Sequence, residues 1–221
     1  VIMLLLFLPN LTIVTGIFTP TNENWEHMKE FVLSSFIKTS LILISATAIL
    51  TITIGLSLAW LIAQYQFPLR NFLKWALILP LSIPPFIGAY TYHGIVNYTG
   101  IIQSTLRDHF GLNLSPAFFD IMNLPGAIFI YTMFLYPYVY TITRIFLSQQ
   151  SASLIESARM LGKGPWRTFF QVVIPISRVS IIGGASLVVL EVLNDYGVVK
   201  YYGIQTFTTA IFQTWFGLGD I

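Results

Sequence analysis

The chain is organised around one polar stretch, Ser153-Leu-Ile-Glu-Ser-Ala-Arg-Met-Leu-Gly162, which continues as Lys163-Gly-Pro-Trp166 and closes with Val172-Val-Ile-Pro175. Ser153 and Glu156 have the spacing of a capping box, which predicts that a short helix begins at the next residue. Gly162 is suited to the left-handed position that ends such a helix. Pro165 is suited to the first position of a second short helix, which Pro175 should end or kink. The stretch therefore predicts a helix–turn–helix elbow between two long apolar segments.

Composition indicates a membrane protein. Of the 221 residues, 55% are hydrophobic and only 9% are charged, and the mean hydropathy is +0.75. Soluble domains carry about a quarter charged residues. The apolar runs are long rather than short and alternating, which is typical of transmembrane helices. The sequence predicts an all-α, multi-pass transmembrane bundle, and the absence of cysteine excludes disulfides, thiolate metal sites and cysteine nucleophiles.

We expect one transmembrane domain over residues 1–221, with about five to six spans. The apolar segments are residues 1–18, 35–63, 125–147 and 179–193, and a broken span covers residues 75–96. Polar connections are expected at residues 19–30 and 97–124, and a loop at residues 201–221. Both ends look trimmed, because the first residue is Val1 and no span closes the last segment.

Some residue types within the spans predict packing. The aromatic residues of the segment at 125–147 are expected to serve mostly in packing and as interface anchors. Gly183-Gly184 and Ala185-Ser186 are small residues that allow close helix packing.

Three prolines interrupt the span at residues 75–96: Pro80, Pro84 and Pro85. Proline frees a backbone carbonyl, which a membrane tolerates only where protein or a water-filled cavity supplies a polar partner. Broken helices often border a transport path, so these prolines are candidates for a translocation path. A kinked helix packed against its neighbours is the alternative, and the sequence leaves both open.

Glu191 and Asp195 are the candidate binding residues near the membrane. Glu191 lies inside an apolar segment, and Asp195 follows it by four residues, so both fall on one helix face. Tyr196 adds a phenol beside them. Ionisable groups inside a span are costly and often functional. Two carboxylates suit a hard metal cation or, equally, a cationic organic solute, and they repel anions. The two acids are therefore also the candidate metal ligands, without forming a firm metal site. The alternative is structural, with Glu191 paired to a neighbouring helix and Asp195 in the headgroup region.

The basic residues predict the orientation of the chain. With the elbow in the cytoplasm, seven of the eleven lysines and arginines lie inside: Arg70, Lys74, Arg144, Arg159, Lys163, Arg167 and Arg178. The other four lie outside: Lys29, Lys38, Arg107 and Lys200. This majority agrees with the positive-inside rule.

The sequence carries no signature of catalysis. Its three histidines have no metal-ligand spacing, and neither His-Glu-x-x-His nor Gly-x-Ser-x-Gly occurs. The run Gly162-Lys-Gly164 lacks the spacing of a phosphate loop and its following Ser or Thr. We therefore expect a protein that is not an enzyme, binds no cofactor itself and has no basic face for nucleic acid.

The elbow resembles the EAA loop of ABC importer permeases. The matching positions are Glu156, Ala158, Gly162, Val172, Ile174 and Pro175, and Ser157 stands where the family usually has its first alanine. The resemblance implies that the elbow, at about residues 148–178, is a coupling helix that docks into an ATP-hydrolysing subunit. The implied coupling residues are Glu156, Ser157, Ala158, Leu161, Gly162 and Pro175.

Further motifs look like those of the ferric-iron permease family: Leu79-Pro-Leu-Ser-Ile-Pro-Pro85, Glu191-x-x-Asn-Asp-Tyr-Gly197 and Tyr202-Gly-Ile-Gln-Thr-Phe-Thr208. The resemblance implies a type I ABC importer permease fold in the bacterial inner membrane and translocation of iron(III). The implied path residues are Pro80, Pro84, Pro85, Glu191, Asp195 and Tyr196.

The same resemblance implies several partners. They are ATPase subunits that use ATP, a second permease half or subunit, a periplasmic substrate-binding protein and membrane lipid. Related permeases for thiamine, polyamines, sulfate or molybdate share the architecture. A secondary transporter without an ATPase is the alternative from a different class of protein.

Overall fold

The computed structural model describes residues 32–112, 119–150, 160–162 and 164–218, together with the single residues Phe7, Leu11, Val14, Thr15 and Ser115. The regular elements in these ranges are helical, as the sequence predicts, and no strand occurs among them. They belong to two compact units, one covering Leu41–Ile204 and the other the chain up to Ser40 and from Gln205 onward. The predicted first span at residues 1–18 and the polar segment at residues 19–30 lie outside the ranges described. The expectation of a single domain stays a prediction.

The larger unit consists of helices joined by short connections. In chain order they are α1 (Leu33–Gln64), α2 (Arg70–Ala76), a 3-10 turn (Leu79–Ser82), α3 (Pro85–Val96), α4 (Ile101–Phe110), α5 (Leu124–Gln150), α6 (Pro165–Thr168), a π turn (Phe169–Val173), α7 (Ile174–Asn194) and α8 (Gly197–Tyr201). The smaller unit contains the first residues of α1, then α9 (Phe207–Gln213) and a second π turn (Thr214–Leu218).

Two helices in the described residues are long and apolar enough to cross a membrane. They are α1, with 32 residues, and the continuous helix Pro165–Asn194, with 30. The pair Arg70–Ser82 and Pro85–Phe110, which bends by 93°, is a third if it forms one broken span. α5 covers another predicted span with 27 residues, but its tyrosines make it less apolar than these helices. The larger number of five to six spans stays a prediction.

Two clusters of buried side chains hold the larger unit together. The first cluster joins α5, α7 and α8, and its fully buried members include Tyr131, Val188 and Val198. In the second, Trp60 of α1 packs on Phe169 of the π turn, with ring centroids 4.7 Å apart. The second cluster therefore attaches the end of the elbow to the long helices.

Two segments predicted as connections contain helices. The connection at residues 97–124 contains α4, which ends at Gly111 with φ of 65°. The segment at residues 201–221 contains α9, where Thr206 and Thr209 cap each other reciprocally. Both helices are shorter than a span, so the long apolar runs that reveal spans do not reveal them.

Pro175 does not end the helix of the elbow, contrary to that part of the prediction. α6, the π turn and α7 run without interruption from Pro165 to Asn194. A proline ring crowds the carbonyl four residues earlier, here that of Gln171, and removes one hydrogen bond. Gln171 lies in the π turn, where hydrogen bonds run over five residues instead of four, so the wider turn accommodates the proline.

Candidate functional site

The elbow is described over residues 160–162 and from residue 164 onward. Gly162 has φ of 76°, so the predicted left-handed conformation is confirmed. Pro165 occupies the start of α6, also as predicted. Three of the expected coupling residues lie outside the described part of the chain: Glu156, Ser157 and Ala158. Their roles stay a prediction.

The described part of the elbow exposes apolar side chains. Leu161 is 81% exposed and Trp166 is 71% exposed, and Met160 is exposed beside them. The Trp166 ring stacks on that of Phe170, with centroids 6.3 Å apart. Exposed apolar groups mark a contact with a protein partner or with membrane. This surface, formed by Met160, Leu161, Trp166 and Phe170, is called the elbow face below.

The opposite side of the same segment is anchored in the core. Thr168, Phe169 and Val173 are buried, and Phe169 contacts Trp60 of α1. The helix that starts at Pro165 continues to Asn194, and at 1.5 Å per residue it is about 45 Å long. A displacement of the elbow face would therefore move a helix that reaches the Glu191 region.

The three prolines lie at or near the 93° bend between Arg70–Ser82 and Pro85–Phe110, in the segment predicted as a broken span. Pro80 lies in the 3-10 turn, Pro84 precedes α3 and Pro85 is its first residue. Ile83 is extended, with φ of −112° and ψ of 121°, as expected for a residue before proline. That these prolines border a translocation path stays a prediction. Gly88, one turn further on, packs so closely on the Phe134 ring that no Cβ would fit there.

The structure brings the broken span next to the acidic segment. α8, which follows the acidic pair, packs on α3, and a Cβ at Gly197 would lie 3.0 Å from the Cβ of Phe86. The Tyr201 ring contacts Phe86, with centroids 5.9 Å apart, and its hydroxyl lies 2.8 Å from His93 Nδ1. Two predicted parts of the path, far apart in sequence, therefore meet in the folded chain.

Asp195 has a structural role. Its Oδ1 accepts a hydrogen bond of 2.9 Å from the Val198 N–H, which caps the start of α8. Burial raises the pKa of the Asp195 carboxyl above its ordinary value. The N–H groups of Val198 and Gly197 lower this pKa in part, and the nearby charge of Glu191 raises it again. Tyr196 is half-buried between Asp195 and α8.

Glu191 is the second candidate binding residue of the acidic pair. It is half-buried in α7, and no hydrogen bond or ion pair joins its carboxylate to another described residue. The alternative in which Glu191 pairs with a neighbouring helix therefore has no support in this part of the chain. Within the same ranges, no three His, Asp or Glu side chains lie close enough to hold a metal ion. Glu191 and Asp195 alone do not complete a metal site.

Tyr131 is a site residue that sequence reasoning missed. Its hydroxyl is buried, has no hydrogen-bond partner among the residues described, and lies within electrostatic range of Glu191 and Asp195. The sequence places Tyr131 among several aromatic residues of one span, all of which were expected to pack or to anchor at the interface. No pattern distinguishes the tyrosine that lies near the acids.

Comparison with known proteins assigns the chain to a family. Residues 51–216 match the model of the family described as "Binding-protein-dependent transport system inner membrane component". The chain belongs to this family. The resemblance to ABC importer permeases, predicted from the elbow, is thereby confirmed.

Three relatives in the family differ in the cargo that their names state. The molybdenum transport system permease protein ModB of Escherichia coli (strain K12) is 29% identical over 155 residues, which are 70% of this chain and 65% of ModB. The Fe(3+)-transport system permease protein FbpB 2 of Haemophilus influenzae is 29% identical over 181 residues, 82% of this chain and 31% of FbpB 2. A probable sulfate transport system permease protein cysT of Marchantia polymorpha is 31% identical over 170 residues, 77% of this chain and 56% of cysT. The chain thus spans less than two thirds of the length of each relative.

Proposed function

We propose that this chain forms all or part of the transmembrane permease subunit of a bacterial ABC importer in the inner membrane. The observation that carries the proposal is the exposed elbow face on a helix that is anchored in the core. Met160 and Leu161 lie beside the left-handed Gly162, before the helix that starts at Pro165, and an apolar surface at such a turn suits a docking partner better than lipid. Family membership supports a separate ATPase as that partner.

The proposed mechanism follows from the connection between the elbow and α7. An ATPase that closes on ATP would pull on the elbow face, and the contact between Phe169 and Trp60 would pass the movement to α1. The continuous helix Pro165–Asn194 would carry it to Glu191 and then to α8, which packs on α3. A second permease half or subunit would complete the path, and a periplasmic binding protein would deliver the cargo.

Two glycines of the elbow provide the test of coupling. A side chain at either Gly162 or Gly164 meets nothing within 4 Å, but Gly162 has φ of 76° and Gly164 has φ of −67°. Gly162→Val therefore strains the turn by about 1–2 kcal/mol, whereas Gly164→Val suits the extended backbone before a proline. We expect Gly162→Val to insert normally and to lose cargo-stimulated ATP hydrolysis in the reconstituted complex. Gly164→Val should retain it, and equal stimulation in both variants would refute the coupling role.

We propose iron(III) as the cargo. The half-buried Glu191 carboxylate offers a hard oxygen donor and a negative charge near Asp195 and Tyr131, which favours a hard cation over an oxyanion. The iron permease FbpB 2 aligns with 82% of this chain, which adds support. The molybdenum and sulfate permeases among the relatives define the competing cargo class.

Uptake of labelled iron by Glu191→Gln, at matched membrane levels, tests the cargo. Loss of one charge-assisted contact of about 1.5 kcal/mol predicts about tenfold weaker uptake at low iron concentration. Asp108→Asn is the control, since this carboxylate is exposed on α4. Asp195 is left unchanged because it caps α8. Unchanged iron uptake in Glu191→Gln, or uptake of molybdate or sulfate but not iron by the wild type, would refute iron.

A further inference from the structure

Arg144 of α5 is a buried cation without an acidic partner among the described residues. It is 7% exposed, no ion pair joins it to another described residue, and its Nε has no hydrogen-bond partner there. Its guanidinium carbon lies 5.7 Å from the Tyr140 ring centroid and 6.0 Å from that of Trp75. Burying a charge without an opposite charge is strongly unfavourable, and contacts with two rings compensate for it only in part.

A second cation approaches the same indole ring. The Nζ of Lys74 lies 5.6 Å from the Trp75 ring centroid, and Lys74 also has no acidic partner in the described ranges. The Tyr140 hydroxyl donates a hydrogen bond of 3.1 Å to the Lys74 carbonyl, which holds α2 against α5. Both cations lie within 6.0 Å of the Trp75 ring centroid, and two positive charges in one region favour an anion near them.

Further donors and the exposure of Trp75 indicate the chemistry of that anion. Thr141, three residues before Arg144 and thus its neighbour on the helix surface, has a buried hydroxyl without a partner among the described residues. Guanidinium, ammonium and hydroxyl groups are the donors that bind phosphate oxygens. Trp75 is 65% exposed, and an exposed tryptophan beside basic residues is typical of the lipid headgroup region.

We propose that Arg144, Lys74 and Thr141, beside Trp75, bind the phosphate group of an anionic membrane phospholipid. This site shares no residue with the elbow face or with the acidic pair, and it stands whether or not the cargo is iron. Lipid bound there would join α2 to α5 by neutralising the two cations between them.

Thermal unfolding of the full chain in a neutral detergent tests the site. Phosphatidylglycerol should raise the midpoint of the wild type, and phosphatidylcholine at the same concentration should not. Lys74→Gln should need about tenfold more phosphatidylglycerol for the same shift, which corresponds to one lost charge-assisted hydrogen bond. Arg178→Gln, which removes an exposed cation of α7, is the matched control and should respond like the wild type.

Two results would overturn the proposal. Equal responses of Lys74→Gln and Arg178→Gln would mean that phosphatidylglycerol acts by general attraction to positive charge. If inorganic phosphate without lipid raises the unfolding midpoint of the wild type but not that of Lys74→Gln, the site binds a soluble anion instead of a lipid. Arg144→Lys, which keeps the charge but lacks Nε, should also lose the response; if that variant does not fold, the comparison of Lys74→Gln with Arg178→Gln still decides.

Discussion

The contact between α5 and α7 predicts opposite effects for alanine at two adjacent glycines. A Cβ at Gly184 would lie 2.7 Å from Val139 Cα and 3.2 Å from Val139 N, well inside the 3.4 Å at which ordinary contact begins. A Cβ at Gly183 would meet nothing within 4 Å. Because the atoms that crowd Gly184 belong to the backbone, no rotamer change can relieve the contact, and the two helices must separate.

The magnitudes follow from these contacts. Alanine is favoured over glycine inside a helix by about 1 kcal/mol, so Gly183→Ala should stabilise the protein by about that amount. Gly184→Ala has the same gain, but forcing a buried backbone contact apart costs about 3 kcal/mol, at the upper end of overpacking effects. The net effect is a loss of about 2 kcal/mol, so the two variants should differ by about 3 kcal/mol.

Reversible unfolding in mixed detergent micelles, followed by circular dichroism, would measure the difference. Gly183→Ala controls for the effect of the substitution on expression and insertion, since it lies one residue away in the same helix. Equal stability of Gly183→Ala and Gly184→Ala would refute the close approach of α7 to Val139. A stabilised Gly184→Ala would refute it more strongly.

Two further predictions concern local backbone structure. Leu69 has φ of 64° and is 72% exposed. Leu69→Gly should relieve this strained conformation and raise the free energy of unfolding by about 1 kcal/mol. Leu69→Ala should leave the strain in place. Equal stability of these two variants in the same unfolding assay would contradict the strain. Thr206→Ala removes the reciprocal cap with Thr209 and should weaken α9 by about 1 kcal/mol, seen as faster hydrogen exchange of its amides. Thr206→Ser keeps the hydroxyl and is the control. If the α9 amides exchange as fast in Thr206→Ser as in Thr206→Ala, the Thr206 hydroxyl does not cap the helix.

Features that depend on a few neighbouring residues were predictable from the sequence. The left-handed Gly162, the helix start at Pro165 and the break at Pro84 and Pro85 follow from backbone chemistry that acts within one turn. The long apolar helix Leu33–Gln64 follows from hydropathy alone. For the same reason the membrane class and the family could be inferred before any contact was known.

Pro175 shows where local rules stop. Its chemistry predicts an end or a kink of the helix. The helix instead continues through a π turn, whose Phe169 and Val173 are buried in the same cluster as Trp60. The gain from burial favours a continuous helix, which sequence spacing does not reveal.

The candidate site was only partly predictable, because pairing and burial are decided by which helices meet. The sequence by itself determined an all-helical membrane chain with an elbow of the importer-permease type and two acids four residues apart. Only the tertiary structure decided that Asp195 caps α8 while Glu191 has no partner among the described residues, and that Tyr131 lies near both. It also decided that Arg144 lies buried beside Trp75. Such roles arise from contacts between residues distant in the chain, and the energy of a buried charge depends on the groups that folding brings around it.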